Sequence, residues 1–257
     1  MLKNGIIAIV LFLTASLSLA VDGSLNRYSQ GYRLGVLSKC VKKKSPFDPT
    51  GLTKTFTCQL HMGRESSSTR VKGKAESAVS SDRSGYRNPW TFNASANDDI
   101  ISKVEAQFSK PVVVEYNEYR NKFLAGVSPL RQTNYDMQDI YVIDPQLPSQ
   151  ASMEVPVRGF LTKSHGVRFG RIVKASEKGD LIDSFELIIQ VGTGGSTFYT
   201  MSITQNQRAL YDYAVEVLKS GKTAKIYYFQ DSIELLNDTN FTIYKIELAE
   251  DPWKNFN

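Results

Sequence analysis

Two stretches of the chain repeat one pattern of apolar and polar positions. Residues 31–39 and residues 166–174 both read G-x-R-x-G-x-x-x-K, and a second phrase, I-Y-x-I, occurs at residues 140–143 and again at residues 243–246. Because two separate phrases recur in the same order, the pattern predicts that one small unit has been duplicated along the chain.

The predicted elements also follow one another in the same order in both units. Short runs with alternating or continuous apolar positions predict strands, which lie near residues 32–41, 54–61, 90–94, 112–119 and 137–143 of the first unit. The second unit has them near residues 168–175, 184–191, 198–203, 222–229 and 241–248. Between the third and fourth strands, each unit predicts one helix. The first follows capping residues 95–99 and runs to Phe108, and the second is capped by Thr204 and ended by Gly221.

Three strands, one helix and two further strands is the order of the OB fold, a five-stranded barrel with a helix at one end. We therefore predict a mainly β protein with one helix per unit, folded as two tandem OB-like five-stranded barrels. SH3-like barrels are the alternative, although they lack a full helix between the third and fourth long strands. The predicted division is a signal peptide at residues 1–20, a first OB-like domain at 28–143 with a long basic loop at 63–88, a linker at 144–156 and a second OB-like domain at 157–250.

The opening of the first unit resembles a family of small uncharacterised bacterial proteins. Residues 28–39 read Y-S-Q-G-Y-R-L-G-V-L-S-K, similar to the opening Y-S-x-G-x-R-x-G-x-[IL]-x-K of that family. The resemblance continues through residues 90–92 and 112–116, whereas residues 55–60 read T-F-T-C-Q-L where the family usually has T-W-E-G-E-L. The family has no established catalytic residues, so no functional assignment carries over from the resemblance.

The N-terminus has the features of a secretory signal peptide. Lys3 precedes an apolar run over residues 6–19, and the small residues Ser18 and Ala20 provide a cleavage site. The run is too short for a comfortable membrane span, and no later stretch is long and apolar enough to be one. We expect cleavage near Ala20 and a periplasmic or secreted protein whose mature chain has no transmembrane segment. An uncleaved anchor is the alternative.

Basic residues are concentrated in the first unit. Residues 24–92 hold 13 Lys or Arg against 4 Asp or Glu, whereas residues 157–257 hold 12 of each. Such a patch suits an anionic polymer or an acidic partner protein, and a well-solvated surface is the alternative. The candidate partner- or anion-binding residues are Lys42, Lys43, Lys44, Arg64, Arg70, Lys72, Lys74, Arg83 and Arg87.

Cysteine and aromatic residues supply two further predictions. Cys40 and Cys58 flank a turn signal at residues 48–51, and a hairpin folded there places them opposite each other, so we predict a disulfide. OB barrels stack ligands on strand aromatics, although such residues more often form the core. The candidates for an aromatic platform are Trp90, Tyr116, Tyr227 and Phe229.

No arrangement of residues in the sequence indicates catalysis or metal binding. His61 and His165 lie in different units without a nucleophile motif, and both are predicted to be surface residues. We therefore expect no cofactor, no metal and no enzymatic activity. The first hypothesis is an exported binding or scaffolding protein of the bacterial envelope with a protein partner, such as a component of a secretion, conjugation or surface assembly. The alternative is binding of an anionic polymer (DNA, lipopolysaccharide or cell-wall glycan) through the basic first domain, and an envelope hydrolase is the third hypothesis.

Overall fold

The computed structural model describes residues 27–44, 54–64, 86–95, 97–120, 133–156, 162–178, 184–191, 197–231 and 239–250. The predicted signal peptide at residues 1–20 lies outside these ranges. The first unit contains β1 (Arg27–Lys44), β2 (Lys54–Arg64), β3 (Tyr86–Ala94), α1 (Asp98–Glu105), β4 (Pro111–Tyr119) and β5 (Tyr135–Val142). The second unit contains β6 (Ser152–Glu154), β7 (Thr162–Lys178), β8 (Ser184–Val191), β9 (Thr197–Ile203), α2 (Arg208–Ser220), β10 (Thr223–Asp231) and β11 (Phe241–Ala249).

Each unit closes into a barrel of five strands. In the first unit β1 pairs with β2 and β4, β2 pairs with β3, β4 pairs with β5, and β3 meets β5 in parallel. In the second unit β7, β8, β9, β10 and β11 repeat this pairing, again with one parallel contact between the third and fifth strands. With a helix between the third and fourth strands, this is the topology of the OB fold. The predicted fold class of two tandem OB-like barrels is confirmed.

The second repeated glycine of each unit brings the long first strand against its neighbour. A Cβ on Gly35 would lie 2.5 Å from the carbonyl oxygen of His61, and a Cβ on Gly170 would lie 2.2 Å from that of Gln190. A β-bulge follows each glycine in the same strand. The close approach and the bulge together let β1 and β7 bend around their barrels.

The apolar cores of the two barrels are distinct, but the second one extends into the first unit. The first core contains Leu37, Phe92 and Val104, which are at most 2 % exposed. Leu34 and Val113 belong to strands of the first barrel, yet they lie in the core that surrounds α2. Because burial of each such side chain contributes about 1.5–3 kcal/mol, this shared packing holds the two units together.

The two barrels are also joined edge to edge by their first strands. Residues 29–33 of β1 pair antiparallel with residues 174–178 of β7, and we call this pairing the seam. Gly31 lies at its centre, where an added Cβ would be 2.3 Å from the carbonyl oxygen of Ala175. Through the seam, the strands of both units belong to one eleven-stranded sheet.

Several elements extend beyond the predicted bounds. β2 continues to Arg64 and β3 begins at Tyr86, and these two residues pair, so the ends of the predicted loop at 63–88 are strand. Residues 65–85 lie outside the described part of the chain. The predicted linker at 144–156 contains β6, which pairs with β11 and so lies against the wall of the second barrel.

The helix boundaries differ from the prediction at two of the four ends. α1 is capped by the side chain of Asn97, within the predicted capping residues, but it ends at Glu105 instead of reaching Phe108. α2 begins at Arg208, and Thr204 does not cap it because its hydroxyl donates to the Asn206 side chain instead. Gly221 ends α2 in the left-handed region with φ 67°, as predicted.

Candidate ligand site: paired arginine–aromatic clusters

Arg33 is held inside the first barrel by three aromatic rings. Its guanidinium carbon lies 4.6 Å from the ring centre of Trp90, 5.6 Å from that of Tyr116 and 5.4 Å from that of Tyr135. The rings also contact one another, with centres 5.1, 5.2 and 5.5 Å apart. We call these four residues the first cluster. Because ring faces attract a cation, the rings partly offset the cost of burying the guanidinium.

Hydrogen bonding in the first cluster is sparse. Nη1 of Arg33 approaches the sulfur of Met62 at 3.5 Å, and a thioether is a weak acceptor. Nε of Arg33, Nε1 of Trp90 and the Tyr116 hydroxyl have no hydrogen-bond partner in the described part of the chain. Burial raises the pKa of Tyr116 to about 12, and the charge of Arg33 opposes that rise. The first cluster therefore holds its cation with ring faces and not with a carboxylate.

Arg168 occupies the same repeat position in the second barrel, and it too meets three rings. Its guanidinium carbon lies 3.5 Å from the ring centre of Tyr199, 5.3 Å from that of Tyr228 and 5.8 Å from that of Phe241. These rings stand on the third, fourth and fifth barrel strands, as in the first unit. Gly166 leaves room for Tyr228, since a Cβ there would lie 2.5 Å from the phenol oxygen. We call Arg168 and its three rings the second cluster.

The two arginines differ in exposure. Arg33 is 8 % exposed, whereas Arg168 is half-buried. Within the ranges that the structure describes, Arg168 makes no hydrogen bond and no ion pair, and its Nε is buried without a partner. Stacking fixes the plane of the guanidinium, and the planar fork of donors matches a carboxylate or a phosphate. Arg168 is therefore a half-buried cation that contacts three rings and has no acidic partner in the described ranges.

The basic residues predicted from the sequence are only partly described. Lys42 is exposed on β1, with its amine 3.3 Å from a carboxylate oxygen of Asp98. The side chains of four others are not described, although their backbones end or begin strands: Lys43, Lys44, Arg64 and Arg87. The remaining four lie outside the described residues: Arg70, Lys72, Lys74 and Arg83. A joint basic surface of these residues stays a prediction.

The four aromatic residues proposed as a platform fall into two places. Trp90 and Tyr116 are 6 % and 0 % exposed inside the first barrel, where they hold Arg33, so they do not form an outer stacking surface. Tyr227 and Phe229 lie on the outer face of β10 beside Tyr244, with ring centres 6.4 and 6.2 Å from it. Phe229 is 4 % exposed and Tyr227 is half-buried, so Tyr227 offers the larger accessible face.

The predicted disulfide is confirmed. Cys40 and Cys58 face each other in the register of β1 and β2, with Cα atoms 4.1 Å apart, and their sulfurs are bonded. The bond ties the two strands of the first hairpin together.

The histidine predictions have different outcomes. His165 is exposed, as expected. His61 is 4 % exposed, so its prediction as a surface residue was wrong. His61 stands on β2 between Val36 of β1 and Pro89 of β3, at the point where Gly35 brings β1 close to β2.

The described ranges contain neither a metal-binding group of side chains nor a membrane-spanning helix. No group of three or more His, Cys, Asp or Glu side chains there lies close enough to bind a metal ion. Neither helix in those ranges has the length and apolar character needed to cross a membrane.

Sequence reasoning did not single out Arg33 or Arg168 as functional residues. The signal was present in the repeat itself, because each arginine stands between two glycines and shares the inward face of its strand with Leu37 or Ile172. A cation that recurs at an inward-facing barrel position requires a partner for its charge.

The solved structures that resemble this chain do so only distantly. No protein-family model matches the sequence, and no curated protein does. A deletion mutant of the single-stranded DNA binding protein from Thermus aquaticus matches with a TM-score of 0.25 and 10 % identity, over 91 % of this chain and 100 % of that one. The wild-type form of that protein matches with a TM-score of 0.21 and 11 % identity, over 88 % and 95 % of the two chains.

Proposed function

We propose that this protein binds an extended anionic polymer and that Arg168 is one of its contacts with the anionic groups. The observation that carries the proposal is the state of Arg168, a half-buried guanidinium stacked on Tyr199 without an acidic partner in the described ranges. A charge withdrawn from water without a partner costs free energy, and a phosphate, sulfate or carboxylate at the guanidinium fork offsets that cost.

The arrangement of the barrels favours a polymer over a small ligand. The seam holds the two barrels edge to edge, so a chain lying across them can meet both units at once. The excess of Lys and Arg at residues 24–92 supplies attraction for an anion over the first unit, and Arg168 supplies an oriented contact in the second. Half-buried rings beside Arg168 also suit stacking on bases, so single-stranded DNA is the first polymer to test.

The other sequence-based hypotheses remain predictions. Export depends on residues 1–20, which lie outside the described ranges, and a scaffolding role in the envelope depends on a partner. Among the described side chains, no nucleophile with a positioned base supports the hydrolase hypothesis. The absence of enzymatic activity also stays a prediction.

The test compares two arginines of β7. Arg168→Gln removes the stacked cation, while Arg171→Gln removes an exposed, outward-facing cation three residues along the same strand and serves as the matched control. Binding of a labelled oligodeoxythymidine is followed by fluorescence anisotropy between about 50 and about 200 mM salt. Loss of a charged hydrogen-bonding contact costs about 1.5–3 kcal/mol, so we expect Arg168→Gln to weaken binding at least about tenfold. It should also reduce the salt slope by about one.

The control variant and a second polymer complete the experiment. Arg171→Gln should leave the salt slope of wild type unchanged, and Arg168→Lys should restore only part of the affinity because lysine lacks the planar fork. A sulfated glycan used as competitor identifies which polymer class binds more tightly. Equal effects of the two glutamine variants, or no binding of either polymer at low salt, would overturn the proposal.

A further inference from the structure

At the seam, the first strand of one barrel pairs with an additional strand from the other barrel. Residues 174–178 of β7 pair with β8 on one side and with residues 29–33 of β1 on the other. Gly31 allows the incoming strand to approach the carbonyl oxygen of Ala175. The second half of the first barrel strand is therefore an edge on which an extended segment can be added.

The same edge exists in the first unit. The repeat aligns residues 39–43 of β1 with residues 174–178 of β7, and residues 39–43 pair with β2 on one side. On the other side, no strand of the described ranges pairs with them. An edge with unpaired backbone groups is a template for strand addition.

The balance of charge differs between the two edges. At the seam, Glu177 accepts a hydrogen bond from Gln30, and Glu186 binds the amines of Lys174 and Lys178. In the first unit the repeat places Lys42 at the position of Glu177 and Thr57 at the position of Glu186.

The first-unit edge thus keeps its cations and lacks the acids that neutralise them at the seam. Among the described residues, Lys39 has no ion pair, and Lys42 has one, with the 93 % exposed Asp98. A strand added here must bring the negative charge itself.

We propose that the edge of β1 at residues 39–43 accepts an acidic extended segment of a partner protein by strand addition. Acidic side chains facing Lys39 and Lys42 replace the charges that Glu186 and Glu177 supply at the seam. This site is separate from Arg168 and does not rest on polymer binding.

A second copy of this chain is a poor occupant of the edge. Its strand equivalent to residues 29–33 is residues 164–168, so His165 and Arg168 would face Lys42 and Lys39. At the seam the corresponding pair of cations, Arg33 and Lys174, is compensated by Glu186. In the first unit Thr57 stands at the position of Glu186, so Arg168 would face Lys39 without a compensating acid, and like charges directly opposite are destabilising.

The test uses a synthetic peptide that copies the strand already accepted at the seam. It has the sequence of residues 28–35 with Glu in place of Gln30 and of Arg33, so that its two acids face Lys42 and Lys39. We expect saturable binding to the full chain, and slower hydrogen exchange of the backbone amides within residues 39–43. Lys39→Glu combined with Lys42→Glu should weaken binding at least about tenfold, because two attractive pairs become repulsive.

Reversing the charges of the peptide and of the edge distinguishes binding at residues 39–43 from nonspecific attraction to the basic first unit. A peptide with Lys at the same two positions should bind the double variant better than it binds wild type. The matched control, Lys103→Glu combined with Lys110→Glu, makes the same change of net charge at other exposed positions of the first unit and should leave acidic-peptide binding within about twofold of wild type.

Four outcomes would overturn the proposal. The first is no binding of the acidic peptide, and the second is acidic-peptide affinity that does not change in the double lysine variant. The third is slow hydrogen exchange of the amides of residues 39–43 already in the free protein. The fourth is concentration-dependent self-association that slows exchange of residues 39–43 together with residues 164–168.

Discussion

At the scale of single residues, Arg33 and Arg168 show how one repeated position can take two roles. Both guanidinium groups stack on rings at corresponding strands, but Arg33 is 8 % exposed and Arg168 is half-buried. The first is therefore part of the barrel core, where rings hold its charge. The second also stacks on rings but stays partly accessible, and we propose that it contacts the polymer.

A buried ion network beside the seam gives a second prediction at this scale. Glu186 binds Lys174, and its other carboxylate oxygen is 2.7 Å from the amine of Lys178. Removing one partner of a buried pair leaves an uncompensated charge, which costs about 3–5 kcal/mol. We expect Glu186→Gln to lower the free energy of unfolding by about 3 kcal/mol in chemical denaturation, whereas Glu247→Gln, in the solvent-exposed pair with Lys225, should change it far less because water screens that pair.

The effect of Glu186 should depend on pH in a defined direction. Burial alone raises the pKa of Glu186, but the charges and hydrogen bonds of Lys174 and Lys178 outweigh burial and leave that pKa lowered. Burial, with the neighbouring positive charges of Arg33 and Lys178, leaves the pKa of Lys174 lowered although Glu186 acts to raise it. A carboxyl with a lowered pKa in the folded state stabilises the fold above its ordinary pKa of about 4.3 and loses that effect as the pH falls through the folded value. The difference in stability between wild type and Glu186→Gln should therefore shrink below about pH 4, and a difference that stays constant or grows there would contradict this assignment.

At the scale of elements, the seam is the feature that joins two otherwise complete barrels. It depends on Gly31, because a Cβ at this position would lie 2.3 Å from the carbonyl oxygen of Ala175 and 2.8 Å from Cα of Ser176. Both atoms belong to the backbone, so the contact is relieved only by moving the strands apart.

Gly31→Ala should therefore weaken the seam and leave the barrels closed. Overpacking of this kind costs about 1–3 kcal/mol, and we expect faster hydrogen exchange for residues 29–33 and 174–178 than for the pairs between β8 and β9. Gln30→Ala removes only an exposed side-chain hydrogen bond to Glu177 and adds no backbone clash, so it is the control and should keep the seam protected. Unchanged exchange in Gly31→Ala would show that the barrels are not joined at this point.

The barrels could be predicted from the sequence, whereas the seam could not. Local patterns are enough to predict three features that the structure has. They are the order of the strands, the helix between the third and fourth strands, and the placement of Cys40 opposite Cys58. Pairing between units depends on which strand edges meet in space. Gly31 and Gly166 are identical in the repeat, yet one faces the Ala175 backbone and the other faces the Tyr228 ring.

The candidate site could be predicted only in part, for a related reason. Sequence reasoning selected Trp90 and Tyr116 because strand aromatics can form a platform, but it did not specify that they enclose a cation from another strand. That contact joins residues far apart in the chain. The repeated arginine was visible, but its exposure in each unit depends on the surrounding tertiary structure.

At the scale of the whole molecule, the chain consists of two matched barrels with different surfaces. The second unit contributes the accessible arginine at β7, and the first contributes the basic excess of residues 24–92 and the lysine-bearing edge of β1. A polymer site and a strand-addition site on one joined body would let the protein hold an anionic polymer and a partner protein together.

The most direct test of the account is the response of individual arginine side chains to the polymer. In the full chain, the Nε–Hε resonances of Arg33, Arg168 and Arg171 are followed by nuclear magnetic resonance while an oligodeoxythymidine is added. The account predicts a saturable shift of the Arg168 resonance, with the Arg33 and Arg171 resonances nearly unchanged. An Arg168 resonance that does not move when the oligonucleotide is bound, or one that moves no more than that of Arg171, would contradict the account.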